Sequence, residues 1–92
     1  MEILNEQKLK YLSRRETEIK QIYESIEANN FNLAIEIGHR LKGNGRTFGY
    51  PIISEIGWTL ESGGKLQNKD KVLNGVRRLQ AEIEKELKLL IG

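Results

Sequence analysis

The sequence predicts an all-α protein that folds as an antiparallel four-helix bundle. Its apolar residues recur at spacings of three, four and seven, which is the pattern of one helix face. The β-branched residues never settle into strict alternation with polar ones, and a single proline, Pro51, interrupts the chain. With 92 residues, 38% of them hydrophobic, we expect one domain over residues 1–92. Four amphipathic helices with short connections pack best as a bundle.

The first helix is expected over residues 5–28. Arg15 and Glu16 interrupt its apolar stripe at a place where another apolar residue is expected. Asn29 and Asn30 favour its end, because asparagine suits helix caps. The stripe consists of Leu9, Leu12, Ile19, Ile22 and Ile26.

Three further helices are expected over residues 31–48, 51–62 and 69–90. Pro51 suits the first turn of the third helix, where a backbone N–H has no partner within the helix. We expect that helix to end at Ser62-Gly63-Gly64. Trp58 lies off its apolar stripe and is either a peripheral core residue or an exposed anchor. The last helix has a coiled-coil-like apolar seam.

Composition excludes several classes of function. The chain has no cysteine and one histidine, which excludes thiol chemistry and a His-rich metal site. Glu36 and Glu55 fall in different expected helices, so there is no reason to pair them as an acidic metal site. We therefore expect no bound metal. No apolar run is long enough to span a membrane and no signal peptide precedes the first helix, so we expect a cytoplasmic protein without membrane contact.

Charge gives little reason to expect a nucleic-acid partner. The formal net charge is +2, from 15 Lys and Arg against 13 Asp and Glu, and the signs alternate along the chain. The dibasic pairs Arg14/Arg15 and Arg77/Arg78 are the features that would favour nucleic-acid binding. Such isolated pairs usually form solvated faces of helices, so we expect no nucleic-acid binding.

The segment from Gly38 to Gly49 carries the chemistry. Three of its glycines would each cost a helix about 1 kcal/mol relative to alanine, which favours a break. Leu41 and Phe48, however, are seven apart with Gly45 between them, so all three share one face. We predict a continuous helix that tolerates glycine because something must come close to its surface.

His39 lies on a solvent-facing flank of this helix, roughly 120° from the centre of the apolar stripe at about 100° per residue. Ile35 and Lys42 lie within one turn of it and Arg46 two turns beyond it. An unperturbed imidazole titrates at about pH 6.5, so it offers a neutral nucleophilic nitrogen at neutral pH. Lys42 and Arg46 would stabilise an arriving phosphoryl group, and Gly43 leaves its approach open. These are the requirements of a reversible phosphohistidine.

The same residues resemble a known signature. The run His39-Arg40-Leu41-Lys42-Gly43-Asn44-Gly45 with Phe48-Gly49 is similar to that of the histidine-containing phosphotransfer (HPt) domains of bacterial phosphorelays. Residues 54–61 also resemble the family's third helix. The resemblance is dense over residues 31–64, and the family fold is a four-helix bundle.

The resemblance implies roles for single residues. His39 would be the phosphoacceptor and Lys42 would steady the phosphoryl oxygens. Gly43 and Gly45 would give a partner domain access and allow close helix packing. Separately from the resemblance, Ile35 lies near His39 on the helical wheel and is expected to offer the partner apolar contact. Arg46 departs from the family, many members of which have a small residue there, and either strengthens anion binding or narrows the choice of partner. The partner of the second imidazole nitrogen is not identified.

The resemblance also implies a phosphocarrier without kinase activity of its own, in a two-component system. Its partners would be a response-regulator receiver domain, a sensor histidine kinase, or both, and Mg²⁺ would be bound by the receiver domain. A free-standing shuttle is favoured over a piece of a hybrid kinase, because the chain opens with Met1 and contains no kinase or receiver segment. The alternative is a helical scaffold or inhibitor that binds such a partner without taking phosphate.

Overall fold

The computed structural model describes residues 4–92 and contains four helices. They are α1 (Asn5–Glu27), α2 (Asn32–Thr47), α3 (Pro51–Lys65) and α4 (Lys69–Ile91). Each helix packs against its neighbours in the chain, and α4 closes the bundle against α1. The predicted fold class is therefore confirmed. Residues 1–3 of the expected domain lie outside the described part of the chain.

The core is a continuous apolar cluster to which all four helices contribute. Ile37 of α2 belongs to it and is almost fully buried, whereas Ile35 is half-buried and lies outside it. The spacing of Ala34, Ile35 and Leu41 in the sequence predicts that Ile35 shares their apolar stripe, but the structure places Ile37 in the core instead. The helix faces α3 and the bundle interior with the side that carries Ala34, Ile37 and Leu41.

The third helix is longer than expected, because it continues through Gly63 and Gly64 to Lys65. These glycines do not end the helix. A Cβ at Gly64 would lie 2.7 Å from the side chain of Ile35, and one at Gly63 would lie 3.1 Å from Val72. Both glycines are therefore packing positions, at which α2 and α4 approach α3 closely.

A polar layer replaces the apolar residue expected in the middle of α1. Arg15 is buried with its Nε 2.6 Å from Oε1 of Glu18, and its guanidinium lies 4.3 Å from the ring centroid of Tyr11. The other carboxylate oxygen of Glu18 lies 3.7 Å from the guanidinium of Arg40. A buried ion pair needs such additional partners, and here they connect α1 to α2 beside His39.

Within residues 4–92, no helix combines the length and the apolar character needed to cross a membrane.

Candidate functional site

The site is built on the close packing of α2 against α3. A Cβ at Gly38 would lie 2.5 Å from the backbone nitrogen of Glu61, and one at Gly57 would lie 2.5 Å from the backbone nitrogen of Lys42. These two glycines therefore let the helix backbones touch. Gly45, two turns after Gly38 on α2, lies against Ser54, which is two turns before Glu61 on α3. The two helices therefore run antiparallel in a constant register.

This register brings the carboxylate of Glu61 to His39. Oε2 of Glu61 lies 2.8 Å from Nδ1 of His39, and Oε1 accepts a hydrogen bond of 2.7 Å from Nζ of Lys42. Nζ of Lys65, one turn beyond Glu61 on α3, lies 3.5 Å from Oε2. The side chain of Glu61 is only 8% exposed, whereas that of His39 is 68% exposed. A largely buried carboxylate thus holds an imidazole that faces solvent.

The charge state of Glu61 determines the tautomer of His39. The hydrogen bond from Lys42 is the main reason that the pKa of Glu61 falls to about 2; burial opposes the shift and the hydrogen bond with His39 adds to it. An ionised carboxylate can only accept hydrogen bonds, so Nδ1 of His39 must carry the proton. In the neutral ring Nε2 is then the nitrogen with a free lone pair.

The continuous helix predicted across the glycine-rich segment is present, since α2 extends unbroken to Thr47. Its glycines serve different purposes. A Cβ at Gly43 would meet no atom within 4 Å, so Gly43 leaves open space one turn beyond His39. Gly45 is buried, and a Cβ there would lie 2.6 Å from the backbone of Ser54. Of the two roles expected for Gly45, this position fits close helix packing, and partner access stays a prediction.

Glu61, His39, Lys42 and Lys65 form what we call the Glu61 cluster. Two other predicted site residues lie on opposite sides of it. Ile35 lines a shallow depression together with His39, Arg40 and Glu61. Arg46 lies about two turns, or roughly 10 Å of helix rise, beyond His39. It lines a separate groove that it shares with Lys42. Among residues 4–92, no group of three or more His, Asp or Glu side chains could hold a metal ion.

The sequence matches one known protein family over most of its length. The sequence model of the Hpt domain matches residues 9–90, which is most of the chain. The chain belongs to the Hpt domain family. No match was found among curated proteins or among solved structures. As an Hpt domain, the protein is suited to histidine phosphotransfer in phosphorelays, in which such domains interact with receiver domains and kinases.

The sequence alone did not predict that Glu61 and Lys65 of this Hpt domain lie at the site. Glu61 belongs to the segment that resembles the family's third helix, but the resemblance gave neither residue a role. A signal was nevertheless present in the small residues. Gly38 and Gly57 each lie four residues before one of the oppositely charged residues Lys42 and Glu61, which indicates a close approach of two helices near this pair.

Proposed function

We propose that this protein carries a phosphoryl group on Nε2 of His39 and exchanges it with an aspartate of a response-regulator receiver domain. The observation that carries the proposal is the hydrogen bond between His39 and Glu61. This bond occupies Nδ1, which carries the proton, and leaves Nε2 of an exposed ring as the nucleophilic nitrogen. A sensor histidine kinase is the other partner class expected for such a carrier.

The transfer step follows from this arrangement. The lone pair of Nε2 attacks the phosphorus of the receiver's aspartyl phosphate, the N–P bond forms, and the P–O bond to the aspartate breaks, which restores its carboxylate. The proton stays on Nδ1, so the ring gains positive charge as the bond forms. Glu61, ionised and 2.8 Å away, stabilises that charge. The reverse step returns the phosphoryl group and leaves the ring neutral.

Lys42 is the cation placed to steady the phosphoryl oxygens. Its ammonium has three donors, of which the hydrogen bond to Oε1 of Glu61 uses one. The remaining donors are free to bind an anion that arrives on Nε2 of His39. Arg46 lies further along α2 and would add positive potential for the same anion. Mg²⁺, which phosphoryl transfer usually needs, would be bound by the receiver domain.

The open space at Gly43 supports docking at this face. A partner's backbone can approach α2 one turn beyond His39 without meeting a side chain. Ile35, half-buried on the other side of His39, offers apolar contact. We therefore assign partner access to Gly43 and Ile35.

The test is to incubate the protein with phosphorylated receiver domains and Mg²⁺, and with phosphoramidate, a small donor that needs no docking. We expect an acid-labile, base-stable label that is absent in His39→Gln, the variant that removes the chain's single histidine. Label that persists in His39→Gln would exclude His39 as the acceptor. Binding of a receiver or kinase domain without labelling by any donor would favour the scaffold or inhibitor instead.

A further inference from the structure

Trp58 is a large apolar side chain that the fold leaves in solvent. It is 57% exposed on α3, three residues before Glu61. The ammonium of Lys71 from α4 lies 5.3 Å from its ring centroid. Tryptophan and arginine are the residue types most enriched among the side chains that dominate binding energy at protein interfaces. An exposed tryptophan beside cations is therefore a candidate anchor.

A groove with an excess of positive charge adjoins this tryptophan. Lys42 and Arg46 of α2 and Arg78 of α4 line it, with Glu55 as its acidic residue. Neither Arg46 nor Arg78 forms an ion pair with any residue from 4 to 92. Their charges are therefore available to a carboxylate from outside the chain.

The groove adjoins the proposed phosphoacceptor site through Lys42. Lys42 lines the groove and also binds Glu61, which in turn holds His39. A protein that reaches Nε2 of His39 along the α2–α3 face therefore lies next to the groove. The chain's net charge of +2 is low for nucleic-acid binding, which favours a protein as the occupant.

We propose that Trp58 and Arg78, with Arg46, extend the docking surface and select receiver domains that present a carboxylate beside an apolar side chain. This inference rests on the proposed function. Trp58 would take the apolar contact, and the two arginines would pair with the carboxylate. Trp58 and Arg78 would act on recognition and leave the chemical step at His39 unchanged.

The experiment measures phosphotransfer between a receiver domain that exchanges phosphate with this protein and the variants Trp58→Ala and Arg78→Ala. We expect KM for the receiver to rise about tenfold in Trp58→Ala and about threefold to tenfold in Arg78→Ala. The rate at saturating receiver should stay within about twofold. Added salt should raise KM less steeply in Arg78→Ala than in the wild type, because one steering charge is gone.

Two matched variants serve as controls. Arg77→Ala removes the same charge from the neighbouring residue of α4, which does not line the groove, and Leu89→Ala removes an exposed apolar side chain elsewhere. Both should retain the wild-type KM. Circular dichroism of all four variants should show the wild-type helical content.

Labelling by phosphoramidate separates the possible failures. If Trp58→Ala and Arg78→Ala are labelled normally and also keep the wild-type KM, the groove takes no part in docking and the inference fails, while the proposed function stands. If they lose phosphoramidate labelling, they act on the site itself and the inference also fails. If the wild type is not labelled, both proposals fail. Binding of a single-stranded oligonucleotide that depends on Arg78, with unchanged KM, would assign the groove to nucleic acid.

Discussion

Glu61 and His39 stand on different helices, yet Oε2 of the carboxylate lies 2.8 Å from Nδ1 of the imidazole. Free histidine has no such partner, so the protein itself determines which ring nitrogen carries the proton. The contact depends on the backbone of α3 approaching α2 at Gly38. A feature of helix packing thereby decides which nitrogen can act as a nucleophile.

Removing this carboxylate should change the tautomer of His39. In Glu61→Ala we expect nitrogen-15 NMR of the ring to show protonated Nε2 in a substantial share of neutral molecules, whereas the wild type should show protonated Nδ1. Transfer from a phosphorylated receiver should slow by about tenfold, in line with the loss of a partner that orients a reactive histidine. An unchanged tautomer in Glu61→Ala would contradict this assignment.

The stability of the protein should depend on Glu61 at acidic pH. The hydrogen bonds from Lys42 and His39 lower the pKa of Glu61 to about 2 in the folded protein, against about 4.3 in the unfolded chain. The unfolded state therefore binds the proton first, so this contribution is complete above about pH 5 and is lost as the pH falls towards 2. The difference in free energy of unfolding between wild type and Glu61→Gln should shrink over that range.

Urea denaturation at several pH values measures this difference. Glu24→Gln removes a carboxylate from an exposed position on α1 and serves as the control. If Glu24→Gln reproduces the pH dependence of Glu61→Gln, general charge effects would account for the result instead of the Glu61 cluster.

Hydrophobic periodicity was sufficient to predict the helices and their order, because burial of an apolar face dominates the stability of a small bundle. It could not tell which glycines end a helix and which permit close packing. Gly63 and Gly64 resemble a helix end in the sequence, but the contacts that require glycine there come from other helices, from Val72 of α4 and Ile35 of α2. Nor could it find the partner of Nδ1, since Glu61 reaches His39 only through the register between two helices.

Two glycines on the same helix should respond oppositely to alanine. Gly38→Ala places a Cβ 2.5 Å from the backbone of Glu61 and 2.7 Å from that of Gly57, so the helices must separate. We expect the free energy of unfolding to fall by about 2 kcal/mol. Gly43→Ala meets open space and should gain roughly 0.5–1 kcal/mol from helix propensity.

Denaturation by urea gives both values, and each variant is the control for the other. Equal effects would mean that α2 and α3 do not cross at Gly38. Gly38→Ala should also label more slowly with phosphoramidate, because separation of the helices withdraws Glu61 from His39.

Lys42 and Arg46 of α2 should contribute unequally to the chemical step. We expect Lys42→Ala to lower the transfer rate at saturating receiver by about tenfold, since we propose that its ammonium stabilises the phosphoryl oxygens. Arg46→Ala should lower it by less than about threefold, because it lies two turns from His39. Lys20→Ala, an exposed position on α1, is the control for loss of one positive charge. A larger effect from Arg46 than from Lys42 would reverse these roles.

The crossing at Gly38 limits how the protein can be made more robust. Alanine at a helical glycine is an ordinary route to a more heat-resistant variant. Here it would push the two helices apart and draw the ring of His39 away from Glu61. Stability and the position of the imidazole therefore depend on the same backbone contact, and attempts to raise heat resistance should begin elsewhere in the bundle.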